Sequence, residues 1–552
     1  MRSNSPKVIL AALISITFAY SFLNFFLNLG TESFYYDEVV YSLSGLEYLQ
    51  GDFSRNWEHP FLGKYLIGLS LHLFGKSDFS ARLPSALFGF LTGVVIYLFA
   101  REATNHWCGL IAVCLWSTSP IVLWVSRRAI LDAPFVFFFA LSWYLSWRFL
   151  QTKSTSHALL AGIALGLATA TKLIGLILIP ILFLYPMFPG IRDKSLTRMG
   201  EDPPTMGEGP DGRRSLTEPS SPFDKLRTPS RSGDPSMSSG QARRQSKGKG
   251  LLGSAMLGKL ALAFLVAALI FLLSYAPVLD RLSPIFRVMN KHWQWEQRVG
   301  HREVVNNVIY DKQPWWTYLY WYWRGYPPYL LNYTPGVLIL LGLAMGFALL
   351  RGKDIDAFLL ISFILPFSYL SFYLSFKMFR YAHILEPPLA MLAASFVAAV
   401  SSFIASIREK GNGGLAGSLR YVSAIAIVAL VAMLFGAMVH STGNILAERE
   451  NRYKAVARYL SPKLTGEETV FVWGYTNVMS WYLGEDVRIV GGFHSAAFIG
   501  DYLEADHIVV DPLMVSKWPD DPLAAYLEDN QAAYTKEAVG GFELYARRSG
   551  DS

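Results

Sequence analysis

Residues 83–100 read LPSALFGFLTGVVIYLFA, eighteen positions without one charged side chain. A hydrocarbon core about 30 Å thick needs about 20 apolar residues of helix, and helix is the open structure that satisfies its own backbone groups there. Similar runs recur at Val8–Leu29, Trp107–Val125, Ala133–Leu150, Ala158–Ala170 and Leu173–Phe188. Five more follow at Leu257–Pro277, Pro335–Leu350, Ala357–Phe376, His383–Ile407 and Tyr421–Val439. The expected fold is a polytopic α-helical membrane protein with about eleven transmembrane helices. Composition agrees, since 16% of the 552 residues are charged and 52% hydrophobic, against roughly 25% charged in soluble domains. The formal charge of +7 comes from Lys and Arg lying between apolar runs or in one insert, which is a topology signal and not a nucleic-acid face. Cys108 and Cys114 share one apolar run, about 240° apart around a helix axis, and are expected to pack without a disulfide.

With the N-terminus inside, segments rich in Lys and Arg fall in the cytoplasm, as the positive-inside rule requires. The division is then a transmembrane module over 1–190 with an external loop at 30–82, and a second over 257–440 with an external loop at 278–334. Between them, 191–256 is rich in Pro, Gly, Ser, Arg and Lys and is expected to be a disordered cytoplasmic insert, because it cannot bury enough surface to offset the entropy of ordering. After Thr442 the alternation in TVFVWG (469–474) and HIVVD (507–511) suggests a small external α/β domain over 441–552, with no Gly-rich phosphate loop or metal-ligand cluster. The whole is expected in the plasma membrane as a multi-pass protein with an external C-terminus.

Charged residues at these boundaries are the candidates for chemistry. FYYDEVVY (34–41) sets Asp37 beside Glu38 just after the first run. On a short helix adjacent carboxylates lie about 100° apart, so one can face a cleft while the other orients it or meets solvent. The plain alternative is two solvated loop acids. WEHPFLGKYL (57–66) holds His59-Pro60 and Gly63-Lys64 before the short apolar stretch Ile67–Phe74, which suits a helix in the interface. Glu58 and His59 are adjacent potential metal ligands, a weak signal. SRRAILDAPF (126–135) puts Arg127, Arg128 and Asp132 in an external turn, against the charge rule, where exceptions are usually paired or functional. The loop at 278–334 carries His292, Trp293, Trp295, Glu296, His301 and Arg302, a mixture of rings and polar groups that could contact a ligand or simply form an interfacial aromatic belt.

These residues are similar to those of a known family. The chain resembles the membrane glycosyltransferases of the protein O-mannosyltransferase and aminoarabinose-transferase superfamily. The resemblance rests on Asp37-Glu38, His59-Pro60 with Gly63-Lys64, Arg128 with Leu131-Asp132, ATKLIG (170–175), and Lys377 with Arg380-Tyr381 before Pro387-Pro388. It implies a C-type glycosyltransferase fold and an external site. It further implies transfer of a sugar from a polyprenyl-phosphate donor to a hydroxyl acceptor on protein, lipid or glycan. The catalytic residues it suggests are Asp37 as general base, with Glu38 and Asp132 orienting acceptor and sugar. Lys64, Arg128, Lys172 and Arg380 would bind the donor phosphate, and His59, Trp293 and His301 the substrate. No cofactor is required on this reading, and no divalent metal. The 278–334 loop is too short for the β-trefoil insert of eukaryotic protein O-mannosyltransferases, which argues against that subtype. The rival readings are a polytopic lipid or solute transporter, disfavoured because polar residues gather in external loops and the halves do not repeat, and a polysaccharide polymerase or ligase.

Overall fold

A computed structural model describes residues 5–57, 59–177, 179–181, 254–281, 303–305, 308–310, 313–324, 336–374, 377–410, 452–484, 486–492, 495–518 and 520–548, with a few isolated positions between 425 and 443. Residues 182–253 with most of the insert, nearly all of the apolar run Tyr421–Val439 and half of Leu173–Phe188 fall outside these residues, as do Glu58, Trp293 and His301.

The N-terminal module contains α1 (Ser5–Phe26), α2 (Tyr36–Leu49), α3 (Leu62–Phe74), α4 (Asp78–Ala103), α5 (His106–Thr118), α6 (Pro120–Ser126), α7 (Asp132–Thr152) and α8 (Thr155–Thr171). Then come α9 (Ser254–Ser274), the hairpin β1 (Glu303–Val305) and β2 (Val308–Tyr310), α10 (Thr317–Arg324), α11 (Gly336–Arg351), α12 (Asp354–Ser368) and α13 (Glu386–Lys410). Among the described residues six helices have the length and apolar content to cross a bilayer, and α5 with α6 would make a seventh span, bent by 64°. That bend interrupts the expected straight span Trp107–Val125. Pro120 opens α6 without an N–H to give, and the chain is extended at Ser119. Two shorter apolar helices match further expected runs, at Thr155–Thr171 and Leu338–Arg351. Leu173–Ile177 forms a tight 3₁₀ turn and not the start of a helical span.

Close packing in this module depends on small residues and on satisfied backbone groups. In α4, Pro84 cannot donate to the carbonyl of Ser80, and the Ser70 hydroxyl of α3 fills the gap at 2.6 Å. α2 and α3 cross at Gly45 and Gly68, where a Cβ on Gly45 would meet the Gly68 nitrogen at 2.7 Å. Further in, the Trp116 indole donates to the Gly89 carbonyl at 2.9 Å and the Trp143 indole to the Ser362 hydroxyl at 2.7 Å, tying α5 to α4 and α7 to α12. Both cysteines are free, and Cys108 is buried in the helical core.

The last described stretch is α14 (Arg452–Leu460), β3 (Thr469–Trp473), α15 (Thr476–Leu483), β4 (Arg488–Gly492), α16 (Ile499–Glu504), β5 (His507–Val510), α17 (Pro512–Lys517), α18 (Pro522–Asp529), β6 (Tyr534–Val539) and β7 (Phe542–Arg547). Its five strands form one sheet in the order β4-β3-β5-β7-β6, parallel across the first three and antiparallel beyond. This domain docks on the N-terminus of α4. There Asp78, buried, is ion-paired with Lys454 at 2.7 Å and accepts hydrogen bonds from the Trp481 indole at 3.1 Å and the Tyr482 hydroxyl at 2.8 Å.

The deepest polar link joins α2 to α4. Glu38 and Arg82 are 0% and 1% exposed and meet twice, Nε to Oε1 at 2.7 Å and Nη2 to Oε2 at 2.9 Å. Burial by itself would raise the Glu38 carboxyl, and the Arg82 guanidinium outweighs it, holding the group below the ordinary carboxylate range. Removing one partner of such a pair costs about 3–5 kcal/mol, because the other is left charged and buried. Glu38→Gln and Arg82→Met should therefore each lower the thermal unfolding midpoint in detergent, and the double variant should lose less than the two effects added. Since the folded Glu38 carboxyl titrates below its unfolded value, its contribution is present at neutral pH and lost as pH falls below about 4. An unchanged unfolding midpoint in either single variant would refute this.

Candidate active site

α2 begins at Tyr36, so Asp37 and Glu38 fall in its first turn, where the helix dipole favours carboxylates. Glu38 turns inward. Besides Arg82 it accepts from the backbone N–H of Tyr35 at 2.8 Å and of Ala129 at 2.7 Å, and Arg128 lies 3.7 Å away. The structure thus spends Glu38 on fixing the loops around the site, in place of the expected carboxylate that meets substrate or solvent. Asp37 faces another way and remains 20% exposed in its side chain, ion-paired with Arg380.

Four expected site residues come together around Asp37. Asp132 opens α7 and is ion-paired at 2.6 Å with Lys172, the C-cap of α8. Arg380 reaches Asp37 from the 3₁₀ turn Phe379–Leu385, 343 positions along the chain, and lies within electrostatic range of Asp132. The Lys172 ammonium also sits 4.7 Å from the centre of the Tyr381 ring. The result is two acids and two cations from four elements, alternating in sign, at helix ends and not at mid-span.

The other expected residues are placed differently. Lys64 is 0% exposed, and its ammonium donates to the Tyr48 hydroxyl at 2.9 Å, to the Asn56 side chain at 3.1 Å and to the carbonyls of Asn56 and His59. The lysine of the His-Pro-x-x-Gly-Lys motif therefore staples its own loop, and a Cβ on Gly63 would meet the Leu131 side chain at 2.7 Å, next to Asp132. His59 itself is exposed, and it is its carbonyl that enters this network. Arg128 stacks 4.7 Å from the Trp124 ring and pairs with Glu32 at 3.3 Å, beside the cluster's supporting loop. Lys377 donates to the carbonyls of Gln313 and Leu374 at 2.9 and 2.7 Å, and burial pushes its ammonium down to about 8.

Sequence reasoning missed Tyr41 and His383, and it quoted Tyr381 only beside Arg380 in the resemblance, without a role. Tyr41, one helical turn beyond Asp37, lies within range of Asp37, Arg380 and Asp132; burial first and then Asp37 push its hydroxyl up, so it stays protonated as a donor. Tyr381 is the ring under Lys172. His383 is 1% exposed and stacked at 5.3 Å on Trp116, with neither ring nitrogen hydrogen-bonded among the described residues, and it lies within range of Asp132 and Lys172. The i, i+4 spacing from Asp37 and an ionisable residue heading an apolar run were the available signals.

Comparison with known proteins bears on part of the chain and on its fold. Residues 58–200 match the profile of the dolichyl-phosphate-mannose-protein mannosyltransferase family, a stretch that includes Lys64, Arg128, Asp132 and Lys172. The chain is 34% identical over 115 residues to undecaprenyl phosphate-alpha-4-amino-4-deoxy-L-arabinose arabinosyl transferase 1 of Pseudomonas fluorescens, covering 21% of each chain. It resembles the membrane glycosyltransferases of that superfamily. The curated relatives it matches are covered over a third of their length or less. Over whole chains the likeness is one of fold. The crystal structure of ArnT from Cupriavidus metallidurans bound to undecaprenyl phosphate superimposes with a TM-score of 0.57 at 16% identity, covering 99% of both chains. Archaeal oligosaccharyltransferase AglB from Archaeoglobus fulgidus, in complex with an inhibitory peptide and a dolichol-phosphate, gives 0.54 at 13% identity over 100% of this chain and 75% of that one. The chain has the C-type glycosyltransferase fold.

The geometry makes Lys64 a structural residue. Lys64→Met removes the ammonium that the Tyr48 hydroxyl and the Asn56 and His59 carbonyls accept from and leaves a buried apolar chain in its place, at about 1–3 kcal/mol. It should lower the thermal unfolding midpoint of the purified protein. Equal midpoints for Lys64→Met and wild type would return Lys64 to the list of free cations.

Proposed function

We propose that the protein transfers a sugar from a polyprenyl-phosphate donor to a hydroxyl acceptor on the external face of the membrane. The observation that carries this reading is the Asp37–Arg380 and Asp132–Lys172 pairing, which joins residues from both halves of the chain at helix ends. The fold it shares with an enzyme crystallised with undecaprenyl phosphate lends support.

In the proposed reaction the acceptor oxygen attacks the anomeric carbon, the bond from that carbon to the phosphate oxygen breaks, and the acceptor proton passes to the Asp37 carboxylate. The lipid phosphate leaves with the bonding electrons. Arg380 and Lys172 take its charge, since guanidinium and ammonium bonds to phosphate are strong and little screened beside the bilayer. Donor entry then has a direct effect on the base. As the phosphate draws Arg380 toward itself, it weakens the pair with Asp37 and releases a carboxylate to accept the proton. Asp132 keeps Lys172 in place, and His383 presents unsatisfied ring nitrogens on the same side. With side-chain cations supplying the charge, the proposal assigns no role to a divalent metal. Among the described residues the charges gather at helix ends, where a lipid headgroup would lie, which favours a transferase over a transport pathway.

Asp37→Asn is nearly isosteric and removes the proton acceptor. It should cut transfer by about 10²-fold or more, read as polyprenyl phosphate released from candidate lipid-linked sugars by mass spectrometry, while thermal unfolding and donor-lipid binding stay near wild type. Normal turnover in that variant would end the proposed mechanism. The external placement is tested separately: cysteines introduced after Thr442 should react with an impermeant thiol reagent in intact cells, and those in 191–250 should be protected. Labelling of the insert from outside would reverse the orientation.

A further inference from the structure

The sheet of the C-terminal domain has a crevice that the transfer chemistry does not use. Its parallel strands lie in the order β4-β3-β5, so the chain leaves β3 toward β4 on one side while β5 flanks the other. Beyond β5 the sheet continues into antiparallel β7 and β6, and the face that these strands share under α18 is incompletely covered. Trp473 and Val510 are the last residues of β3 and β5. Both line a cleft of ≈ 430 Å³, within the roughly 300–1,000 Å³ of small-molecule sites.

The lining states what kind of molecule fits. Its floor is Trp473, Val510, Tyr534 and Tyr545, all less than a tenth exposed. One wall is the end of α18, with Glu528 followed by Gln531, both exposed; the other is the β6–β7 hairpin with Lys536 and Glu543, and Arg548 stands at the rim. Two carboxylates, two cations and an amide over an aromatic floor carry no net charge. A phosphate or nucleic-acid site would show cations without matching acids. Glu543 is already set in place, accepting from the Tyr545 hydroxyl at 2.8 Å and pairing with Lys536 at 2.8 Å. A carboxylate offers about four acceptor positions, so others remain for a ligand. Alternating acceptors and donors around an apolar floor are the complement of a sugar ring, whose C–H face rests on aromatic edges and whose hydroxyls both give and take hydrogen bonds.

We propose that this cleft is a saccharide-binding site for a neutral, hydroxyl-bearing sugar unit of a glycan, separate from the transfer site. None of the residues around Asp37 lines it, so the proposal does not depend on the transferase reading. The test uses the purified full-length protein in detergent and an array of immobilised neutral hexose and N-acetylhexosamine oligosaccharides. Wild type should be retained on at least one of these, and Glu528→Ala combined with Gln531→Ala, two exposed positions, should weaken that retention at least tenfold without moving the thermal unfolding midpoint. Glu543→Gln should weaken it as well. The Asp37→Asn protein should bind as wild type does, which separates this result from failure of the transfer mechanism. Retention on none of the neutral oligosaccharides, a preference for anionic glycans, or full retention by the double variant would overturn the proposal.

Discussion

Two charges removed from water must be held by each other, and at Glu38 and Arg82 this requirement organises the whole site. Isolated, either would be too costly to bury beside lipid. The guanidinium has five N–H donors, and those that do not meet Glu38 reach the carbonyls of Leu29 and Ser33 at 3.1 and 3.0 Å and of Glu32 at 3.2 Å. Glu38 in turn holds the amide of Ala129. The loop after α1, the start of α2, the body of α4 and the approach to α7 are therefore fixed by one ion pair. Because Asp37 precedes Glu38 by one residue, anchoring Glu38 inward sends Asp37 about 100° around the helix, to where Arg380 waits.

That arrangement explains how far the sequence could be read. Helical spans were legible because a long apolar run has few other uses, and the pairing of acidic and basic boundary residues was legible because charge near a bilayer needs a reason. The division of labour between Asp37 and Glu38 was not, since it depends on Arg82, which in the sequence looks like one more flanking cation at the edge of an apolar run. The same limit applies to the His-Pro-x-x-Gly-Lys motif. Its lysine suggested a phosphate ligand, but a buried ammonium surrounded by carbonyl and hydroxyl oxygens has its donors already engaged, and Gly63 is there for the approach of Leu131. The α5–α6 bend was signalled by Ser117-Thr118-Ser119-Pro120 and passed over because apolar residues continue on both sides of that short polar break. Arg380 could be tied to Asp37 only by resemblance, since no local pattern links residues 343 positions apart.

The C-terminal domain bears on the same loop from the opposite side. Lys454 pairs with Asp78 and also donates to the carbonyls of Gly30 and Glu32, both at 2.9 Å, while the Tyr482 hydroxyl that donates to Asp78 accepts from the Phe34 amide at 2.7 Å. Beyond these bonds, the Trp481 ring lies 4.8 Å from Phe34 and the Tyr475 ring 5.7 Å from Tyr36. Residues 30–36 are thus gripped by Arg82 from the membrane module and by Lys454 and Tyr482 from the sheet domain, and Asp37 follows directly. A segment held from both sides keeps its carboxylate where it is, which the proposed reaction requires of a base whose counter-ion is drawn to the leaving phosphate. The docked domain is therefore part of what orients Asp37.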